Sequence, residues 1–298
     1  MLKKIIAPFL GFGLLASPVL AKEPAAKVRD ADPALWVVKD HDTTIYLFGT
    51  FHALTPDLGW FDDAVREAFD KSDKAVFELD SSDTATIQAA ARRHGFSKDP
   101  QPFTAKMSAK DKAAYDAAMA KLGLPPTAFD RLKPWLAAVT LTTLSAQKAG
   151  FDPQQGAEAT LIDAARKAGK KIGTLETAEE QLSFFDALTE TQQIELLNQA
   201  VEEVEKPSDT LNRMITYWSE GKPDALGKLI NEELLETPGL AKTILFDRNE
   251  RWAKQIKAML DTPGTVFVAV GAGHLAGPND VQDDLAKLGV KAVRVQYD

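Results

Sequence analysis

Cysteine is absent from the 298 residues, which excludes disulfides, thiolate metal sites and a cysteine nucleophile. Histidine occurs only four times. A bound metal would therefore have to use those few imidazoles together with carboxylate or carbonyl oxygen. Positive charge is also scarce. The chain has 35 Lys and Arg against 43 Asp and Glu, a net charge of −8, and no basic stripe, so nucleic acid and anionic membrane surfaces are not expected partners. Beyond the amino terminus no apolar run approaches the ~20 residues needed to span a bilayer. Gly-x-Ser-x-Gly, Walker and His-Glu-x-x-His patterns are missing, as are low-complexity tracts and linkers.

The first 21 residues read as a secretory leader. Lys3 and Lys4 precede an apolar stretch, Ile5 to Leu15, and Val19-Leu20-Ala21 is a small-residue cleavage site. Export to the periplasm or medium, with cleavage near Ala21, is the expected localisation, and no membrane insertion is expected after cleavage. Residues 22–298 then form a single domain, with helices from roughly 179 to 260 as a cap.

What the chain does contain is a repeated device. Ile45 to Phe48 is an apolar run that leads into Gly49-Thr50-Phe51-His52. Val266 to Val270 is another, leading into Gly271-Ala272-Gly273-His274. A glycine just past a buried strand lets the backbone turn sharply. The histidine then projects from the strand's carboxyl end, where open α/β sheets place their ligands. Two of the four histidines thus occupy equivalent places near opposite ends of the mature chain.

Between them the pattern alternates strands with long helical stretches. Ala34 to Val38 and Thr43 to Phe48 read as a hairpin turning at Asp40-His41-Asp42. Phe61 to Lys71 has helical periodicity, and Lys74 to Asp80 is a short buried strand. Helices are expected over Asp83–Arg93, Ser108–Leu122, Pro134–Ala149 and Gly156–Ala168. Lys170 to Glu176 is a further strand, and Thr177 with Glu180 forms a capping box for the helix after it. Helices then run to about Leu260, broken near Lys206-Pro207, Gly221-Lys222-Pro223 and Pro238-Gly239. A strand at Thr265–Val270, a helix at Asn279–Leu288 and a strand at Val290–Gln296 close the chain. The fold class is α/β: a central mixed sheet built from N-terminal, middle and C-terminal strands, with a large helical insertion.

Four strands end in polar groups: His52, Glu78 with Asp80, Glu176, and His274. If those strands are parallel neighbours, the groups converge on one rim. Two imidazoles and a carboxylate with open positions suit Zn, Mn, Fe or Co, and such a metal polarises a carbonyl and acidifies bound water. His52, His274 and Glu78 are the expected ligands, with Glu78 alternatively a general base. Asp80, Glu176 and Asn249 are candidates for substrate contact or support of the ligands. Arg248 lies beside the apolar face of its helix and is placed to steady an oxyanion. His41 and His94 read as structural. Gly271-x-Gly273-x-x-x-Gly277 resembles a dinucleotide fingerprint, but too little chain follows it for the second βα unit.

These residues resemble the TraB/GumN family, which includes the animal Tiki proteases. The marks are Leu47 to His52, Phe77-Glu78-Leu79-Asp80, Lys133-Pro134-Trp135, Leu175 to Gln181, Arg248-Asn249 and Gly271 to Gly277. The resemblance implies a fold like the erythromycin-esterase and ChaN proteins. For the Tiki branch it implies a peptidase using Mn or Co, with activity carried by His52, His274 and Glu78. Gly156-Ala157-Glu158 departs from the family pattern at Ala157 and leaves Glu158 without an implied role. The expected function is an exported metal-dependent hydrolase acting on a peptide or small molecule. The alternative is a non-catalytic protein that binds metal, haem or another ligand.

Overall fold

The computed structural model describes residues 28–205, 209–234 and 238–297. The leader expected at residues 1–21 and the helix break near Lys206-Pro207 lie outside them. Among the described residues the main sheet contains β1 (Leu35–Lys39), β2 (Thr43–Thr50), β3 (Lys74–Phe77), β4 (Lys171–Thr174), β5 (Gly264–Gly271) and β6 (Val293–Arg294). Their spatial order is β4-β3-β5-β2-β1-β6. The four central and outer strands β4, β3, β5 and β2 are mutually parallel, while β1 is antiparallel to both β2 and β6.

The β1–β2 hairpin turns as the sequence implies. Asp40 Oδ1 accepts from the backbone of Asp42 at 3.1 Å and of Thr43 at 2.8 Å, an Asx-type turn. The parallel strands need crossovers, and helices supply them. α1 (Asp63–Lys71) joins β2 to β3. α2 (Thr84–Gly95), α3 (Ala109–Lys121), α4 (Pro134–Lys148) and α5 (Ala157–Lys167) join β3 to β4. Between β4 and β5 come α6 (Ala178–Asp186), α7 (Glu190–Glu205), α8 (Thr210–Ser219), α9 (Pro223–Leu234), α10 (Pro238–Ala241), a π-helical turn (Lys242–Phe246) and α11 (Asp247–Met259). α12 (Val281–Lys287) precedes β6.

Strand alternation divides the interior into two layers. On one face Ile45, Leu47, Val76, Val266, Val268 and Val270 pack with Trp252, Ala253 and Ile256 of α11 and Val281 and Leu285 of α12. On the other, Phe48, Ala75, Phe77, Phe267 and Ala269 pack with Val65, Ala68 and Phe69 of α1 and the helices of both long crossovers. Burial on both faces is what near-continuous apolar strands require.

Several boundaries differ from the sequence pattern. β3 stops at Phe77, not Asp80, because Glu78 leaves the ladder to bond elsewhere, although Glu176 N still donates to Glu78 O at 2.9 Å. Phe61 precedes α1 and meets Phe69 edge-on at 5.2 Å. α12 begins at Val281 because Asp280 caps it and Asn279 adopts a left-handed φ of 58°. β6 shrinks to two residues, paired with Trp36 and Val37. The Thr177–Glu180 capping box is present.

Candidate active site

Register brings the repeated device together. β2 and β5 are adjacent and parallel, with Phe48 opposite Ala269 and Thr50 opposite Gly271. The two glycine turns are therefore neighbours, one residue out of step. β3 flanks β5 with Phe77 opposite Ala269, and β4 flanks β3 with Phe77 opposite Thr174. Glu176, Glu78, His274 and His52 thus follow one another along the carboxyl edge of four parallel strands. The turns are tight by construction. A Cβ on Gly49 would lie 3.0 Å from Ala272 Cα, and one on Gly271 would lie 3.1 Å from Glu78 Oε1. Trp218 Nε1 donates to Gly49 O at 2.7 Å, and its ring packs on Phe48 and Phe51. His274 itself sits in a 3-10 turn, Ala272–Leu275, that the sequence pattern did not indicate.

The rim is nearly dry: Glu78, Glu176, Arg248, Asn249 and His274 are all buried. Burial of carboxylates is tolerable only with partners, and Arg248 supplies them. Its Nη2 donates to Glu78 Oε2 at 2.7 Å and Glu176 Oε2 at 2.8 Å, and Nε donates to the Glu176 carboxylate at 3.1 Å. Nη1 donates to Ile244 O of the π-helical turn and to His274 Nε2, both at 3.1 Å. All five guanidinium N–H groups are thereby directed at protein acceptors, so Arg248 aims none at an incoming oxyanion. Its plane also lies 4.5 Å from the Trp252 ring centre.

Proton positions on His274 follow from its neighbours. Asn249 Nδ2 donates to Asn279 O at 2.8 Å, which fixes the amide. Asn249 Oδ1 must then accept from His274 Nδ1 at 2.6 Å, leaving Nε2 as the lone-pair nitrogen. Burial and the adjacent Arg248 charge push the His274 pKa down to about 3. The ring is neutral near pH 7, and its 3.8 Å approach to Glu78 Oε1 is not an ion pair. Burial would raise the Glu78 pKa, but the Arg248 charge, with the Gly271 N–H (2.6 Å to Oε1), outweighs it and holds the carboxyl well below its usual range. Gln181 Nε2 adds a 3.0 Å bond to Glu78 Oε2.

His52 is the rim group that keeps solvent contact, with 13% of its side chain exposed. Its Nδ1 lies 3.1 Å from Glu158 Oε2. Burial alone would depress the His52 pKa, yet the Glu158 carboxylate reverses the sign and raises it. Glu158 is raised by its own burial, only partly countered by His52.

Of the residues singled out from sequence, the structure gathers His52, Glu78, Glu176, Arg248, Asn249 and His274. Asp80 is elsewhere: it pairs with Arg166 at 3.0 Å and accepts from Ser82 N, while Asp83 caps α2. Glu158 and Gln181 belong to the cluster and were not recognised as members. Their partners are distant in sequence; the local signal for Glu158 was an acid two residues after the glycine of Pro153-Gln154-Gln155-Gly156, at the start of α5. His41 is exposed in the hairpin.

The donors suit a divalent cation. They are imidazole nitrogen and carboxylate oxygen, each histidine has Nδ1 tied to a fixed partner as metal-binding histidines do, and Glu158 Oε1 is buried with no hydrogen-bond partner. Among the described residues, three or more ligand atoms come within 4.8 Å of one another only at Asp40, His41 and Asp42 and at Asp30, Asp62 and Asp63, both exposed. At the rim the Arg248 Nη1 contact to His274 Nε2 would have to be surrendered to a bound cation.

The TraB/PrgY/gumN family model matches residues 34–294. The chain belongs to this family. It is 23% identical to the uncharacterised protein YbaP of Escherichia coli, covering 84% of this chain and 90% of that one. It is 25% identical to human Metalloprotease TIKI1 over 86% of this chain and 60% of that one, and 23% identical to the zebrafish (Danio rerio) protein of that name over 87% and 62%. No solved structure matches the chain. No helix among the described residues is long and apolar enough to cross a membrane.

Proposed function

We propose that this chain is an exported metal-dependent peptidase whose site is the rim of β2, β5, β3 and β4. The observation that carries this reading is the pairing of the two Gly-x-x-His turns side by side, with Glu78 beside them, in a buried cluster of hydrogen-bonded side chains. Distant likeness to proteins named metalloproteases supports the metal and the reaction class, and the leader-like residues 1–21 support export.

In this reading His274 and His52 offer their Nε2 atoms, and Glu78 is either a third ligand or the base that takes a proton from water. A divalent cation held there, Mn or Co before Zn, would supply Lewis acidity towards a peptide carbonyl and towards water. Asn249 keeps the His274 ring in the tautomer with a lone pair at Nε2. Arg248 holds Glu78 and Glu176 in place, a positioning role in place of direct contact with an oxyanion. Gln181 and Gly271 N–H clasp the two Glu78 oxygens, so the carboxylate stays ionised and oriented.

The test is hydrolysis of a defined peptide pool by the purified protein. Activity is expected to vanish after chelation, to return with Mn(II) or Co(II), and to be lost in His274→Ala. Hydrolysis that survives complete metal removal contradicts the reading. Export is tested separately, by whether the mature protein recovered outside the cytoplasm begins just after Ala21.

A further inference from the structure

Glu158 has a buried carboxylate that neither the repeated device nor the strand ends account for. It stands in the first turn of α5, with Oε2 3.1 Å from His52 Nδ1 and Oε1 buried without a partner. A buried carboxylate oxygen is costly when unpaired, so its retention needs a reason. The start of α5 is fastened to the His52 loop in three ways. Ala157 N donates to Phe51 O at 2.8 Å, and Asp152 N donates to Leu54 O at 3.0 Å. Gly156 lies so close that a Cβ there would be 2.2 Å from His52 O. The helix is placed to bring one side chain, Glu158, against one ring.

The two rim histidines therefore have different keepers. His274 donates Nδ1–H to a neutral amide, whereas His52 faces an acid. A carboxylate partner fixes the tautomer and strengthens the imidazole as a donor at its other nitrogen. We propose that Glu158 is the positioning residue of His52: it holds the ring as the Nδ1–H tautomer, turns Nε2 towards the rim, and keeps Oε1 as an acceptor for the group bound there. The use of Nε2 as a metal ligand rests on the reading proposed above; the tautomer does not.

The experiment uses the metal-free mature protein with 15N-labelled histidine rings, at a pH where His52 is neutral. It compares wild type, Glu158→Gln and Glu158→Ala for ring tautomer, then for Mn(II) affinity by titration. The expected result is Nδ1–H in wild type and in Glu158→Gln, whose amide oxygen still accepts, and a mixed tautomer in Glu158→Ala. Mn(II) affinity should fall less than about tenfold in Gln and by about 10–100-fold in Ala, the usual cost of losing such a partner. Wild-type His52 protonated at Nε2, or a folded Glu158→Ala with an unchanged tautomer, overturns the proposal. Should Glu158→Ala fail to fold, Glu158→Leu, which fills the space without an acceptor, takes its place. If wild type binds no Mn(II) while the tautomers behave as expected, the metal reading fails and the positioning role of Glu158 stands.

Discussion

Glu78 and Glu176 are carboxylates with almost no solvent contact, and both reach the same guanidinium, that of Arg248. Burial makes this pairing far more demanding than a surface ion pair. Glu176 has a second partner in Arg251 at 3.2 Å, but removing Arg248 leaves the two carboxylates without their common partner. Arg248→Met should destabilise the fold by about 3–5 kcal/mol, the usual cost of breaking a buried pair from one side, read as a lower urea midpoint. Wild-type stability in Arg248→Met would show that the carboxylates find other partners. At this scale the sequence indicated the individual groups well. Arg248 was recognisable as a charge beside an apolar helix face, and Glu78 as an acid ending an apolar strand. What it did not disclose was that every N–H of Arg248 is committed inside the protein, because His274 Nε2, Glu78 and Glu176 become its neighbours only through tertiary packing.

Elements carry the site by how they meet. α5 docks on the His52 loop through Gly156, where any side chain would strike the His52 carbonyl. Gly156→Ala should cost about 1–3 kcal/mol, as overpacking does, and should disturb the His52–Glu158 pair; a fully stable variant with an unchanged His52 environment by NMR would refute that docking. A second junction joins α2 to α6, the helix that brings Gln181 to Glu78. His94 Nδ1 lies 3.1 Å from Asp186 and Nε2 lies 2.6 Å from Glu179. Both partners only accept when ionised, so both ring nitrogens must donate, which requires the imidazolium. Burial lowers the His94 pKa, but the two carboxylates outweigh it and raise it above 6.5. A raised folded-state value means the stabilisation is complete below about pH 6.5 and is lost as pH rises through the folded pKa. Thermal stability should therefore decline across that window in wild type and decline less in His94→Gln; parallel profiles would contradict the clamp. Helices and strands were legible because caps and apolar periodicity are local, as Thr177 with Glu180 shows. The 3-10 turn at His274 and the π-helical turn before Arg248 were not, since no local pattern separates them from loop or α-helix.

At the scale of the whole molecule, the sheet draws strands from both ends and the middle of the chain, so the site exists only when distant segments have paired. Strand order was the least legible feature. The sequence left parallel adjacency of the four strands as a condition, and β5 lying between β2 and β3 is a nonlocal fact. Because the rim is complete only in the folded state, a ligand held there should stabilise the entire domain. Mn(II) at a hundred times its dissociation constant should add about 2.7 kcal/mol to unfolding, and none in His274→Ala. Equal gains in the two proteins would place the cation elsewhere, such as on the exposed Asp30, Asp62 and Asp63. The most direct test of the central claim is titration of the purified metal-free protein with Mn(II) and Co(II), beside His52→Ala and His274→Ala. The account predicts one tight equivalent in wild type that disappears in both variants while they remain folded. Tight binding that persists in either variant, or none by the folded wild type, would contradict it.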